Sequence, residues 1–223
     1  MVKLYAALAL GLSLLSVTAA GAEPFRLSVA GEDVVVTGAT AKGQVVIFGV
    51  TREVAPDDIV EVNREMDVLT DDDGDGCVAL SLGREVPLRS AWVAVDLASG
   101  SSEAAAPEGF RLKKVNFRGQ GIGRRADGRD SVVDARALAE VLVVRPGTGS
   151  DAGAWHLYLG DGGPSDEDGN PDGRLEAALD RMEPLAGSPP PPAMFQKDDV
   201  ILVLDPDQLE MTLVKIPQTP SAQ

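Results

Sequence analysis

Val45-Val46-Ile47-Phe48, preceded by Gly43, is a short apolar run of β-branched and aromatic residues bounded by turn formers. Its length, composition and glycine punctuation predict a buried strand rather than a helix. Val34-Val35-Val36 and Trp92-Val93-Ala94-Val95 repeat the pattern, closed by Gly38 and by Ser99-Gly100. Around these runs the periodicity becomes two. Phe25, Leu27 and Val29 alternate with Arg26 and Ser28, and Val60, Val62, Met66 and Val68 alternate with Glu61, Asn63, Glu65 and Asp67. Val78, Leu80 and Leu82 do the same, which describes half-buried strands. Short strands separated by turn signals at this spacing predict an all-β, mainly antiparallel sandwich.

The spacing of Thr37-Gly38-Ala39 and Lys42-Gly43-Gln44-Val45 before Phe48-Gly49-Val50 resembles bacterial immunoglobulin-like modules of secreted and surface proteins. The resemblance spans residues 24 to 105 and lacks the Cys pair and intervening Trp of antibody domains. It implies an immunoglobulin-like sandwich used for spacing or binding, with no active site of its own. Ser99 to Pro107 is rich in small and polar residues and marks a candidate boundary, with a long hairpin loop as the competing reading. The expected organisation is a module over 23–105, a second β-rich domain over 106–217 and a disordered tail over 218–223.

In the second half Arg118 to Arg125 is Gly- and Arg-rich and predicts a loop. Ser131 to Val144 fits two helical turns over Ala135 to Leu142 or a strand ending in Val141-Leu142-Val143-Val144. Trp155, Leu157 and Leu159 share one strand face, and His156 and Tyr158 the other. Leu175, Ala178, Leu179 and Met182 fall at helical spacing between Asp172 as N-cap and Pro184, predicting the one short helix. Ser188-Pro189-Pro190-Pro191-Pro192 has to be extended, as a stiff surface connection or a partner's ligand motif. Val200 to Leu204 and Leu209 to Leu213 read as a closing hairpin through Asp205-Pro206-Asp207.

The address is written at the N-terminus. Lys3, the apolar stretch Leu4 to Leu15 and the small residues ending Ala20-Gly21-Ala22 have the layout of a secretory signal peptide over 1–22, so the mature chain is expected to start at Glu23 in the periplasm or outside the cell. No Cys follows the cleavage site to accept a lipid, and charged or turn residues interrupt every later apolar run. With 35 Asp+Glu against 20 Lys+Arg and a net charge of −15, the 223-residue chain repels phosphate backbones and anionic lipids. Nucleic acid and membrane insertion are therefore not expected, and an extracytoplasmic protein or polymer is the expected partner. The single Cys, Cys77, allows no internal disulfide and reads as a packed or half-buried strand residue.

Two acidic loops carry the candidate chemistry. In Thr70-Asp71-Asp72-Asp73-Gly74-Asp75-Gly76 the carboxylates Asp71, Asp73 and Asp75 alternate and Gly76 is sixth, similar to the first half of a D-x-D-x-D-G calcium loop. Position twelve, where such a loop has a bidentate Glu, is Leu82, and strands flank the loop. A weak Ca2+ site and a solvated acidic hairpin turn therefore both stay open. Asp166, Asp168, Asn170 and Asp172 alternate in the second loop, where Asp166, Asp168 and Asp172 are the candidate ligands. Gly147-Thr148-Gly149 before Ala152 fits a G-x-G-x-x-A dinucleotide pattern, but a strand rather than a helix is expected to follow. His156, the only imidazole, has no motif partner and is expected to be exposed. Trp92 and Trp155 read as core. The whole reads as a secreted, non-catalytic binding or structural protein, with a hydrolase using paired carboxylates as the alternative.

Overall fold

The computed structural model describes residues 23–54, 60–84, 86, 90–105, 111–114, 122–124, 130–135, 140–158, 175–205 and 210–216. The expected signal peptide over 1–22, the Asp166, Asp168 and Asp172 loop and the expected tail over 218–223 lie outside them. Strands β1 (Arg26–Ala30), β2 (Asp33–Thr37), β3 (Gln44–Val54), β4 (Val60–Thr70), β5 (Val78–Ser81), β6 (Ser90–Asp96) and β7 (Ser102–Ala105) form two sheets, ordered β1-β2-β5 and β4-β3-β6-β7. Then come β8 (Arg111–Lys114), β9 (Ile122–Arg124), β10 (Asp130–Ala135), β11 (Glu140–Arg145), β12 (Gly153–Tyr158), β13 (Leu175–Ala178), β14 (Glu183–Pro184), β15 (Val200–Asp205) and β16 (Glu210–Lys215). These build a six-stranded sheet, β14-β12-β11-β15-β16-β8, and a small one, β13-β10-β9. The fold is all-β, and among the described residues every strand pairing is antiparallel except where β8 runs parallel to β16.

Sheet stacking explains the unbroken apolar runs. On β3 and β6, Val45, Ile47, Trp92 and Ala94 face β2 and β5 through Val34, Val36 and Val78. Their neighbours Val46, Phe48, Val93 and Val95 face the opposite way, onto Leu142, Val144, Leu202 and Met211 of the six-stranded sheet. The far side of that sheet buries Val141, Val143, Trp155 and Ile201 under Leu179, Met182 and Ile216. Strands β6 and β11 are consequently buried at every position, and alternation disappears from their sequences. Close packing also fixes Gly49, because a Cβ there would lie 2.1 Å from the Trp92 ring. The halves 23–105 and 106–217 meet in one apolar layer.

Three local expectations change. The helix predicted over Leu175 to Met182 is strand β13, paired with β10, followed by a one-turn 3-10 helix at Leu179–Arg181. A strand that ends in a tight turn buries Ala178, Leu179 and Met182 just as a helix face would. An isolated helix of that length is marginal, so ladder pairing prevails. The turn between Val68 and Val78 is a crossover between sheets, since β5 pairs with β2 and β4 with β3. Within the Arg118 to Arg125 segment, Ile122–Arg124 is strand β9. Ser102–Ala105, inside the small-residue stretch, pairs with β6.

Pro189 to Pro192 belongs to a strap from Leu185 to Asp199 that crosses the β12 edge. Leu185 N donates to Ala154 O at 2.9 Å, Ala154 N to Ser188 Oγ at 2.9 Å and Trp155 Nε1 to Pro189 O at 2.7 Å. At its far end Arg145 Nη2 donates to Met194 O at 2.8 Å.

Candidate metal centre

The crossover between β4 and β5 is organised by one carboxylate. Asp71 is 1% exposed, its Oδ2 accepts from Lys42 N at 3.0 Å and Gly76 N at 3.1 Å, and its Oδ1 accepts from Gly74 N at 3.0 Å. Burial pushes its pKa up, but these backbone donors and a side-chain bond with Asp73 outweigh that and hold the carboxyl below its ordinary value. Asp73 Oδ1 accepts from Asp75 N at 3.2 Å, and Asp75 Oδ1 from Cys77 N at 2.7 Å. Glycines supply the left-handed backbone at Gly74 (φ 84°) and Gly76 (φ 78°) that such tight turns need. Lys42 lies against Gly74, and its Nζ donates to the Asp72 carbonyl.

One carboxylate oxygen from each of Asp71, Asp73 and Asp75 lies within 4.8 Å of the other two. The three residues are thus brought together as their spacing predicts, and hard oxygen donors at this separation suit a divalent cation. A carboxylate has about four lone-pair sites. Asp71 already accepts three bonds, so exposed Asp73 and Asp75 offer the freer oxygens. Leu82 is half-buried and packs into the apolar cluster beneath β2 and β5, so position twelve adds no ligand. Asp75 also borders an open groove of about 520 Å3 lined by Glu23, Phe25, Thr40, Asp96 and Ser101.

Two buried polar clusters carry no motif. Asp96, 1% exposed, accepts from Thr40 N at 2.6 Å and Thr40 Oγ1 at 2.7 Å, and from Ala98 N at 2.8 Å and Ser99 N at 3.1 Å. Burial opposes its ionisation, yet these four donors hold its pKa down. Asp199, fully buried, receives Arg145 Nε and Nη2 at 2.9 Å each and Gln196 N at 2.8 Å. Burial dominates there and raises the Asp199 pKa despite the guanidinium. Arg145 also sits 5.7 Å over the Trp155 ring. A carboxylate ending or following a buried run, as Asp96 does after Val95, is the one sequence signal for such a group.

His156 is not exposed as expected. Its side chain is 18% exposed and its Nε2 is bonded to Glu140 Oε2, whose side chain is 1% exposed. The ring lies 6.5 Å from Phe48, inside the layer between the sheets. Cys77 is exposed rather than packed. Partial burial of the sulfur and the charges of Asp75, Asp73, Asp71 and Glu23 raise its pKa, which suppresses the thiolate. Gly147 and Gly149 sit in the turn between β11 and β12, so a strand follows them, as expected. Both Trp92 and Trp155 are core residues.

No protein-family model matches the chain, and no curated protein matches it. Among solved structures, that of a red sea bream transglutaminase matches with 12% identity and a TM-score of 0.21. The match covers 89% of this chain and 32% of that one, and so low a score carries no information on fold or activity.

Proposed function

We propose that the chain is a secreted or periplasmic, non-catalytic binding or structural module of immunoglobulin-like type, stabilised by Ca2+ at Asp71, Asp73 and Asp75. The observation that carries the metal assignment is the approach of three carboxylate oxygens to within 4.8 Å on one crossover loop. The fold assignment is supported by seven successive strands dividing into facing sheets β1-β2-β5 and β4-β3-β6-β7. In an immunoglobulin-type sandwich the first, second and fifth strands likewise share one sheet, and the third, sixth and seventh the other. The non-catalytic assignment is supported by how the buried acids are used. Of the four buried acids among the described residues, Asp71, Asp96 and Asp199 hold backbone or guanidinium donors of the chain itself and Glu140 is bonded to His156, whereas a hydrolase needs carboxylates free to exchange protons with substrate. The expected partner is an extracytoplasmic protein or polymer.

Calcium titration tests the metal assignment. With Leu82 at the twelfth position, the affinity expected is that of weak extracellular sites, on the order of a millimolar Kd. At about ten times that concentration, linkage supplies about 1.4 kcal/mol, which raises the thermal midpoint by roughly 3 to 6 °C for a chain of this size. Magnesium does less because it dehydrates reluctantly. Asp73→Asn with Asp75→Asn abolishes the shift at constant ionic strength. An equal calcium shift in wild type and double variant refutes the site.

A further inference from the structure

The acidic loop contains two Asp-Gly bonds, Asp73-Gly74 and Asp75-Gly76. Among aspartyl dipeptides Asp-Gly is the most prone to cyclisation, because no side chain on the glycine shields its amide nitrogen. That nitrogen loses its proton and attacks the aspartyl Cγ. A C–N bond forms, the side-chain hydroxyl leaves as water, and the product is a five-membered imide. Water then opens either carbonyl, giving back aspartate or leaving isoaspartate, with the backbone rerouted through the side chain. In an exposed turn nothing in the dipeptide itself opposes the reaction.

Here both nucleophilic nitrogens are engaged, and by the same residue. Gly74 N donates to Asp71 Oδ1 at 3.0 Å, and Gly76 N donates to Asp71 Oδ2 at 3.1 Å. The two oxygens of one buried carboxylate thus hold the two amides that would otherwise attack. A hydrogen bond to a carboxylate hinders amide deprotonation twice: it holds the proton, and it places a negative charge where the amide anion would develop. It also fixes the direction of the nitrogen lone pair. The electrophiles are restrained as well, since Asp73 Oδ1 is tied to Asp75 N and Asp75 Oδ1 to Cys77 N. Asp71 itself is followed by Asp72 rather than by glycine, so the guard residue is not part of a labile pair.

We propose that Asp71 is a protecting residue for the Asp73-Gly74 and Asp75-Gly76 bonds, and that Asp73 and Asp75 are latent sites of imide and isoaspartate formation, opened when Asp71 is lost or the loop unfolds. The inference does not depend on metal binding. It gives the buried first aspartate of the loop a role that the two exposed ones do not share.

The test is ageing of the full chain at neutral pH and 37 °C with chelator present, followed by peptide mapping with a fragmentation method that separates isoaspartate from aspartate. Urea-denatured wild type sets the unprotected rate. In folded wild type, isoaspartate at residues 73 and 75 is expected to form at least about tenfold more slowly, the factor that one hydrogen bond to a charged group supplies. Asp71→Ala is expected to bring both rates towards the denatured value, with faster hydrogen exchange at the Gly74 and Gly76 amides. Circular dichroism establishes that the variant is folded. Equal rates at 73 and 75 in folded and denatured wild type overturn the proposal, and this arm needs no variant. So does a folded Asp71→Ala protein that ages as slowly as wild type.

Discussion

Gly49 shows how one residue's lack of a side chain is decided by its neighbour across a ladder. It pairs with Trp92, whose ring occupies the space a Cβ would need, and both backbones lie in strands covered on each face. Gly49→Ala is therefore expected to cost about 1 to 3 kcal/mol, as overpacking of a close-packed core does. Chemical denaturation measures it, and a stability within experimental error of wild type shows that the ring can move aside. The sequence places Trp92 in the core, but its pairing with Gly49 is a matter of register that neither run encodes alone. The same limit applies to Arg145 and Asp199, which meet across 54 residues of sequence. A guanidinium after Val141 to Val144 looks like a strand end reaching water. It is 4% exposed because the strap returns over it with a carboxylate. His156 is misjudged for a related reason, since its partner Glu140 lies on the neighbouring strand β11.

At the scale of elements, two loops are held by buried carboxylates with lowered pKa, Asp71 between β4 and β5 and Asp96 at the end of β6. The sign of the linkage follows from the shift. A carboxyl whose pKa is lower in the folded chain contributes stability that is full above the unfolded value, about pH 4, and is lost as pH falls through the folded value. Asp199 has the opposite sign, because its raised pKa favours the folded state at low pH and less so as pH rises through it. The wild-type thermal midpoint is expected to fall steeply below about pH 4. Asp96→Asn lowers the midpoint at pH 7 and flattens its acid decline, and parallel wild-type and variant curves contradict the assignment of that decline to Asp96. The convergence of Asp71, Asp73 and Asp75 is legible in the sequence because alternation within a turn is local geometry. What is not legible is that Asp71 serves the backbone, since its three donors come from Lys42, Gly74 and Gly76 in two separate loops. The β13 segment fails for the complementary reason. Apolar spacing of three and four residues records which side chains are buried, and a strand ending in a 3-10 turn satisfies it as well.

At the scale of the molecule, the apolar layer formed by Val46, Phe48 and Val93 with Leu142, Val144 and Leu202 joins the two halves of the chain. Each half carries one of the two Trp residues, Trp92 and Trp155. Unfolding followed through Trp92 in a Trp155→Phe variant, and through Trp155 in a Trp92→Phe variant, is therefore expected to track the backbone signal of the same protein. A fragment of residues 23–105, with that layer uncovered, is expected to bind a hydrophobic dye or aggregate. A soluble fragment that unfolds cooperatively without dye binding shows that the layer is dispensable. The strap over β12 has a consequence for how molecules meet one another. An open sheet edge is a template on which another chain can add a strand, and successive additions grow fibrils. Beside β12 runs β14, two residues long and ending in Pro184, and then the strap with Pro189 to Pro192. Proline has no N–H to offer an incoming strand, and the Ala154 amide is already held by the Ser188 hydroxyl. An incoming strand would therefore find no backbone donor at Pro184 or Ala154 on that side of the six-stranded sheet.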